Sequence, residues 1–284
     1  MTTGSARFFV TGANGQLGRL VVAGIARRAG IRDAARAAPL LPPGVAIREG
    51  DYDRPETLDA ALAGAERLLL ISSNAVGVRV AQHRNVVDAA KRVGVARIAY
   101  TSVLHADVSR LSIAREHRET EALIEASGLP CTLLRNGWYT ENYAVSIPAA
   151  LQHGAFIGSA HNGRISGAAR ADYAEAAAVA LIGDAAPVKT IHELAGDQPF
   201  TLAELAAELS RQSGRDIPYA DLSEADHRAA LIGVGVPDVL AALFVDFDAA
   251  AARGDLFDGS RQLSRLIGRT TTPLAAAIAA ALEA

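Results

Sequence analysis

The sequence predicts an α/β fold, a doubly wound parallel sheet with a smaller, mostly helical C-terminal lobe. Three observations predict it. Short β-rich runs alternate with helical periodicity from the N-terminus to about Tyr139. Central runs such as "AERLLLISS" are continuously apolar, as strands buried on both faces are. A glycine-rich turn joins the first strand to the first helix.

Taken in order, "ARFFVTG" is a buried strand ending in glycine, and "GQLGRLVVAGIARR" puts Leu17, Leu20, Val21 and Ile25 on one helical stripe. From Gly24 to Gly44 the chain reads "GIARRAGIRDAARAAPLLPPG", where the second strand of such a fold belongs. Only "GIRD" remains there for a strand, so strand two is expected to be shortened or missing, although the fold places it between its neighbours in the sheet. "GVAIREGDY" reads as a further strand, "PETLDAALAG" as a short helix stopped by Gly64, and "AERLLLISS" as the central strand. "RVAQHRNVVDAAKRVGV" is next, as helix, then "ARIAYTSV" as strand, "AREHRETEALIEASG" as helix and "CTLLRNGWY" as strand. Beyond Tyr139 come glycine-bearing loops, a helix from Asp172, the strand "TIHELAG" and then mostly helices. The expected division is a dinucleotide-binding domain over 1–138, with 164–196 returning to it, and a substrate-side lobe over 139–163 and 197–284.

Composition narrows the function. The 284 residues are half hydrophobic, enough for a substantial core, and a net charge of -3 with interspersed signs offers no field for nucleic acid or a membrane surface. A single cysteine, Cys131, excludes an internal disulfide framework, and the early first strand leaves no room for a signal peptide, so a cytoplasmic protein is expected. No apolar run approaches the roughly 20 residues of a membrane span. His83, His105, His153 and His161 are scattered without metal-ligand spacing, and no metal site is expected. The partner implied is a small molecule, bound by a monomer or a homodimer.

The most informative motif is Gly12-Ala13-Asn14-Gly15-Gln16-Leu17-Gly18, a G-x-x-G-x-x-G between strand and helix. Glycines allow the tight turn and the close approach of a pyrophosphate, whose charge meets backbone N–H groups at the helix N-terminus. The spacing is that of the short-chain dehydrogenase loop; a turn needed only for strand–helix packing is the competing reading. Asp51 stands where these folds place an acid near the adenine, or else caps the next helix.

Short-chain dehydrogenases usually carry Tyr-x-x-x-Lys, in which lysine lowers the tyrosine pKa for proton transfer at a carbonyl. None of the six tyrosines here has a lysine four residues later. The helix that would host the pair offers His117 and Glu121 one turn apart, either a catalytic histidine facing the cleft or a solvated one on a charged face. An acceptor that needs little proton assistance, such as a quinone, suits such a site better. "NGWYTENY", Asn136 to Tyr143, ends a parallel strand on the ligand-binding edge of the sheet and combines aromatic surface with amide donors for a flat carbonyl-bearing ligand. Tyr139 and Asn142 are read as functional there, while Trp138 either contacts ligand or plugs the junction of core and lobe. Arg170 either pairs in a structural salt bridge or contacts phosphate.

These strings together, "TGANGQLG", "AQHRNVVDAAKRVGV", "EHRETEALIEASG", "TLLRNGWYTENY", "ELAGDQPFTLAELAAELSRQSG" and "LFDGSRQLSRLIGR" among them, resemble the type 2 NAD(P)H:quinone oxidoreductases of the NmrA-like branch of atypical short-chain dehydrogenases, over nearly the whole chain. The resemblance implies NADPH, with NADH as the alternative, and direct hydride transfer to a quinone without flavin, metal or the tyrosine–lysine pair. By position it implies cofactor contacts from Gly12 to Leu17, at Ser73, Asn74 and Ala75, from Gly137 through Trp138 to Asn142, and at Arg170. Ser73-Asn74-Ala75 differs from the acidic version in the family, and Arg32 matches an arginine expected on the NADPH 2′-phosphate. The two other readings are a non-catalytic dinucleotide sensor like the NmrA regulators and a repurposed non-redox enzyme with weakened cofactor binding.

Overall fold

The computed structural model describes residues 8–29, 46–183 and 188–283. The chain divides into two compact units: one of Met1–Asp107, Ile113–Asn136 and Ala171–His192, the other of Val108–Ser112, Gly137–Arg170 and Glu193–Ala284. The segment returning to the first unit is thus 171–192 rather than 164–196, and Val108–Ser112 goes with the second.

The first unit is built on a sheet of β1 (Phe8–Val10), β2 (Arg67–Leu70), β3 (Arg97–Val103), β4 (Cys131–Asn136) and β6 (Lys189–Leu194), in the spatial order β1-β2-β3-β4-β6. The ladders from β1 through β4 are parallel, with Phe9 opposite Leu68, Leu69 opposite Ala99, and Tyr100 opposite Leu133. Every second residue points to the same face. Leu68, Leu70, Ile98, Tyr100, Cys131 and Leu133 therefore meet Leu58 and Leu62 of α2 (Pro55–Leu62), Val86 and Ala90 of α3 (Arg79–Arg92), and Ile124 of α4 (Ala114–Ala126) in one core. Among the other helices of the unit, α1 (Gln16–Ala29) meets α7 (Arg170–Ile182), where Arg28 pairs with Glu175 at 2.6 Å. Gly24 keeps the two close, since a Cβ there would lie 3.3 Å from that of Ala178. On α1 the buried stripe is Leu17, Val21, Val22 and Ile25, while Leu20 lies at its edge and is 39% exposed.

Two sequence expectations fall in this region. The shortened strand two, with Arg32, lies outside the described residues. "GVAIREGDY" is corrected: residues 46–50 form no strand and are exposed. A β-rich pattern becomes a strand only where a ladder partner exists, and no described strand lies on the side of β1 away from β2. The segment is tied to α2 instead. Arg48 donates to the carbonyls of Ala61 and Ala63, at 3.0 and 2.6 Å.

The second unit is mostly helical, with a short parallel pair that the sequence had not suggested, β5 (Phe156–Gly158) with β7 (Tyr219–Asp221). Its best-defined helix, α8 (Leu202–Ser213), begins in a reciprocal capping box between Thr201 and Glu204 and ends at Gly214 with φ +68°. Leu202, Leu205, Ala206 and Leu209 form its buried stripe. The apolar run "LAAAIAAAL" lies in α12 (Leu274–Glu283), which packs on α8 and on α5 (Glu141–Ala144).

Candidate functional site

In the first unit, β1 ends at Val10, and Thr11 fastens the start of the glycine turn to β2. Its hydroxyl donates to the Leu69 carbonyl at 3.2 Å and accepts from the Ile71 N–H at 2.9 Å. Gly12 then takes φ +59°, a backbone conformation that costs other residues roughly 1–2 kcal/mol. The Gly15 N–H closes the turn onto the Gly12 carbonyl at 2.9 Å. A Cβ on Gly18 would stand 2.2 Å from that same oxygen. The first glycine thus makes the turn, and the third lets α1 sit against it. Asn14, Gly15 and Gln16 are exposed, Ala13 is half-buried, and the Leu17 side chain is in the core. N–H groups of a first helical turn have no acceptor within the helix and carry its positive pole. This cradle fits a pyrophosphate.

The loop after β2 has the opposite character. The Ser72 N–H donates to Thr101 Oγ1 at 2.9 Å, Ser73 to His83 Nε2 at 3.0 Å, Ala75 to Ser73 Oγ at 3.1 Å, and Gly77 to Glu116 Oε1 at 2.8 Å. The N–H groups of Val76, Val78 and Arg79 close on carbonyls of Asn74 and Ala75. With its amides turned inward, the loop offers a ligand the Ser73 hydroxyl and the exposed Asn74 side chain. Those suit hydroxyls and carboxamides better than phosphates. Asp51 is exposed and shapes a turn, accepting from the Asp53 N–H at 2.9 Å; the residue that precedes α2 is Arg54, so Asp51 is not that helix's N-cap.

Behind that loop lies a buried network. Arg79 Nη1 meets His117 Nε2 at 3.2 Å, and His117 Nδ1 meets the Tyr100 hydroxyl at 2.8 Å. A guanidinium only donates, so Nε2 accepts and Nδ1 carries the proton. Burial and the neighbouring Arg79 push His117 down to about 3. The solvated-histidine reading is therefore corrected: His117 is 5% exposed and neutral. Nor does it pair with Glu121, whose carboxylate takes two hydrogen bonds from Arg135, at 3.0 and 2.8 Å, and one from Ser102 at 2.5 Å.

In the second unit, Gly137 comes directly after β4, and its N–H donates to the Leu194 carbonyl at 2.7 Å. Trp138 packs edge-on against Phe247, with ring centroids 4.3 Å apart. Tyr139 bridges to Ala168 and carries the Arg170 guanidinium 5.2 Å above its ring centroid. The Arg170 N–H donates to both carboxylate oxygens of Glu141, at 2.9 and 3.0 Å. Among the described residues no carboxylate pairs with the Arg170 side chain, which removes the salt-bridge reading and leaves a half-buried cation beside an aromatic face. Asn142 is half-buried in α5. Elsewhere in the unit, Ser159 Oγ meets His227 Nδ1 at 3.0 Å and its N–H meets Asp248 Oδ2 at 2.7 Å. This is no nucleophile triad, since serine and aspartate approach the same imidazole nitrogen.

Sequence reading missed His83, Arg79 and Thr101, which hold the loop from behind. Nothing in "RVAQHRN" or "ARIAYTSV" marks them, because their partners come from distant positions.

A family model described as NAD(P)H-binding matches residues 12–182. The chain is 51% identical over 276 residues to Quinone oxidoreductase 2 of Escherichia coli (strain K12), spanning 95% of this chain and 96% of that one. It is 29% identical over 243 residues to the NAD(P)H azoreductase of Xenophilus azovorans, covering 82% of each. Among solved structures it is similar to an NADPH-dependent quinone oxidoreductase from Escherichia coli complexed with NADPH, with TM-score 0.89 and 48% identity over 97% of this chain and 99% of the other. The Citrobacter sp. triphenylmethane reductase complexed with NADP(H) matches with TM-score 0.89 and 34% identity, over 96% of this chain and 99% of that one.

Proposed function

This chain belongs to the NAD(P)H-binding family, among the quinone oxidoreductases, and we propose from that premise that it transfers hydride directly from NADPH to a quinone or similar small acceptor, without flavin or metal. The observation that carries the reading is the glycine cradle: Gly12 at φ +59° and Gly18 against the Gly12 carbonyl leave the first-turn amides of α1 open to a pyrophosphate. Gly12, Ala13, Asn14, Gly15, Gln16 and Leu17 hold the diphosphate, while Ser73, Asn74 and Ala75 take neutral polar groups of the nucleotide.

NADPH would supply the hydride; the chain binds and orients. Tyr139, backed by the Arg170 cation, offers a flat aromatic face, and Asn142 offers an amide donor to a carbonyl oxygen. Arg170 is free to meet an anionic group. A quinone accepts hydride to give an aromatic hydroquinone anion, which takes its proton from water without a tyrosine–lysine pair. His117 serves as a neutral, buried support and not as the proton donor, since it is pushed down to about 3.

Fluorescence titration with NADPH and NADH, followed by oxidation assays on a panel of benzoquinones and naphthoquinones, tests the reading. Saturable NADPH binding with quinone-dependent oxidation is expected. Binding without turnover on any quinone would leave a dinucleotide-binding protein, and no binding of either nucleotide would remove the reading altogether.

A further inference from the structure

We propose that His83 is a positioning residue for the bound nucleotide: its Nε2 holds the Ser73 amide and so fixes the loop whose hydroxyl and side chains meet the cofactor. This rests on the assignment of Ser73, Asn74 and Ala75 to the nucleotide made above. His83 lies on the inner side of α3 and is completely buried. The Ser73 N–H reaches its Nε2 at 3.0 Å, while its Nδ1 faces Thr120 Oγ1 at 2.9 Å. An amide N–H only donates, so Nε2 must be the bare nitrogen and Nδ1 must carry the proton. Thr120 supports that polarity, because its own hydroxyl donates to the Glu116 carbonyl at 2.9 Å and leaves its oxygen to accept from the imidazole.

Each contact thus determines the next, from α4 through the ring to the loop. Burial, reinforced by the nearby Arg79 cation, keeps the ring neutral, with its pKa pushed down to about 4. A protonated ring would turn an N–H toward the Ser73 N–H and break the contact. The Tyr52 and Tyr100 rings, with centroids at 6.3 and 5.5 Å, pack edge-on and restrict the imidazole to this orientation.

For a ligand, the direction of the loop's donors is decisive. With the Ser73 N–H held inward, Ser73 Oγ can accept from Ala75 and keep its own proton for outward use. If the anchor is lost, the half-buried amide loses its acceptor, and the loop gains freedom that ligand binding must then remove.

The test compares wild type with His83→Leu, His83→Gln and Thr120→Val, measuring NADPH affinity by fluorescence titration, Ser73 amide exchange, thermal melting, and KM for NADPH against kcat with 1,4-benzoquinone. His83→Leu is expected to bind NADPH about tenfold more weakly, as suits the loss of one hydrogen bond that anchors the loop. Its KM for NADPH should rise while kcat stays within about twofold, because a loop that binds nucleotide in ground and transition states alike changes KM alone. Glutamine, whose carbonyl oxygen reaches the Nε2 position, should restore most of the affinity. Thr120→Val, which frees the ring to turn, should fall between them. Accelerated exchange at the Ser73 amide should accompany each loss of affinity. If His83→Leu does not fold, the Gln and Val variants decide the matter on the same measurements. Unchanged NADPH affinity in the folded variants, or a loss that glutamine does not repair, overturns the proposal. Absence of NADPH binding by the wild type would instead remove the reading of the function on which it rests.

Discussion

At position 18 a single methyl group would stand 2.2 Å from the Gly12 carbonyl oxygen and 2.8 Å from Ala13 Cα, both backbone atoms that cannot swing aside. Gly18→Ala must therefore open the turn. We expect at least a tenfold loss of NADPH affinity and a stability loss of about 1–3 kcal/mol from overpacking, read by nucleotide titration and urea denaturation. Native affinity in a folded Gly18→Ala protein would contradict the pyrophosphate cradle. Gly15 is the milder position, with 3.2 Å from its would-be Cβ to the same oxygen. The cradle was legible in sequence because its demands are local: spacing, backbone freedom and the start of a helix lie within seven residues. His83 was not legible. Its partners Ser73 and Thr120 lie ten and 37 positions away, and only the packing of α3 between loop and α4 brings them together.

The elements of the first unit are bound by contacts of the same long range. Arg67, at the start of β2, donates to the carbonyls of Leu181, Ile182 and Gly183 at 2.9, 2.6 and 2.7 Å and so satisfies the end of α7. Arg67→Ala should cost about 1–2 kcal/mol and fray that helix end, visible as faster amide exchange in its last turn. Exchange unchanged from wild type would show that water caps the carbonyls equally well. Apolar periodicity identified α1, α3, α4 and the central strands, since burial on a sheet writes itself into every second or fourth residue. It failed at residues 46–50, where Ile47 is 60% exposed. Propensity there was that of a strand, but strand formation depends on a neighbour that the pattern itself does not contain. Likewise His117 and Glu121 stand one turn apart on α4 in a run of charged residues, yet the sheet beneath offers Tyr100 to one and Arg135 to the other.

For the molecule as a whole, buried ionisable groups set the response to acid. His83 and His117 are pushed down to about 4 and about 3 from 6.5, and burial lowers His192 and His227 as well. Between those limits the unfolded chain binds more protons than the folded one, so stability falls as pH drops below about 6.5. Asp248 acts in the other direction. Burial pushes its carboxyl up from 3.8 to about 6, so in that interval the folded state holds the additional proton and is relieved of a buried charge. Asp248→Asn removes this opposing contribution, and its stability should fall more steeply with acid, by about one proton between roughly pH 4 and 6. Urea melts across that range check it; parallel curves for variant and wild type would exclude the effect. The alternation of strand and helix made the fold class legible from the sequence, but the β5–β7 pair and the polar cluster beside it were not, being short and held by residues far apart.

Cys131 is the sole thiol of the sequence, and β4 carries it into the core, 3% exposed and with its acidity weakened by burial. Quinones are electrophiles that thiolates attack at a ring carbon, so an enzyme that handles them is exposed to inactivation by its own substrate. Here the one soft nucleophile is both covered and protonated. Incubation with excess 1,4-benzoquinone should leave Cys131 unmodified in the native protein, as peptide mass spectrometry would show, and yield the adduct only once the chain is unfolded in urea. Placing the thiol in the sheet thus gives the protein chemical endurance, independent of its affinity or rate.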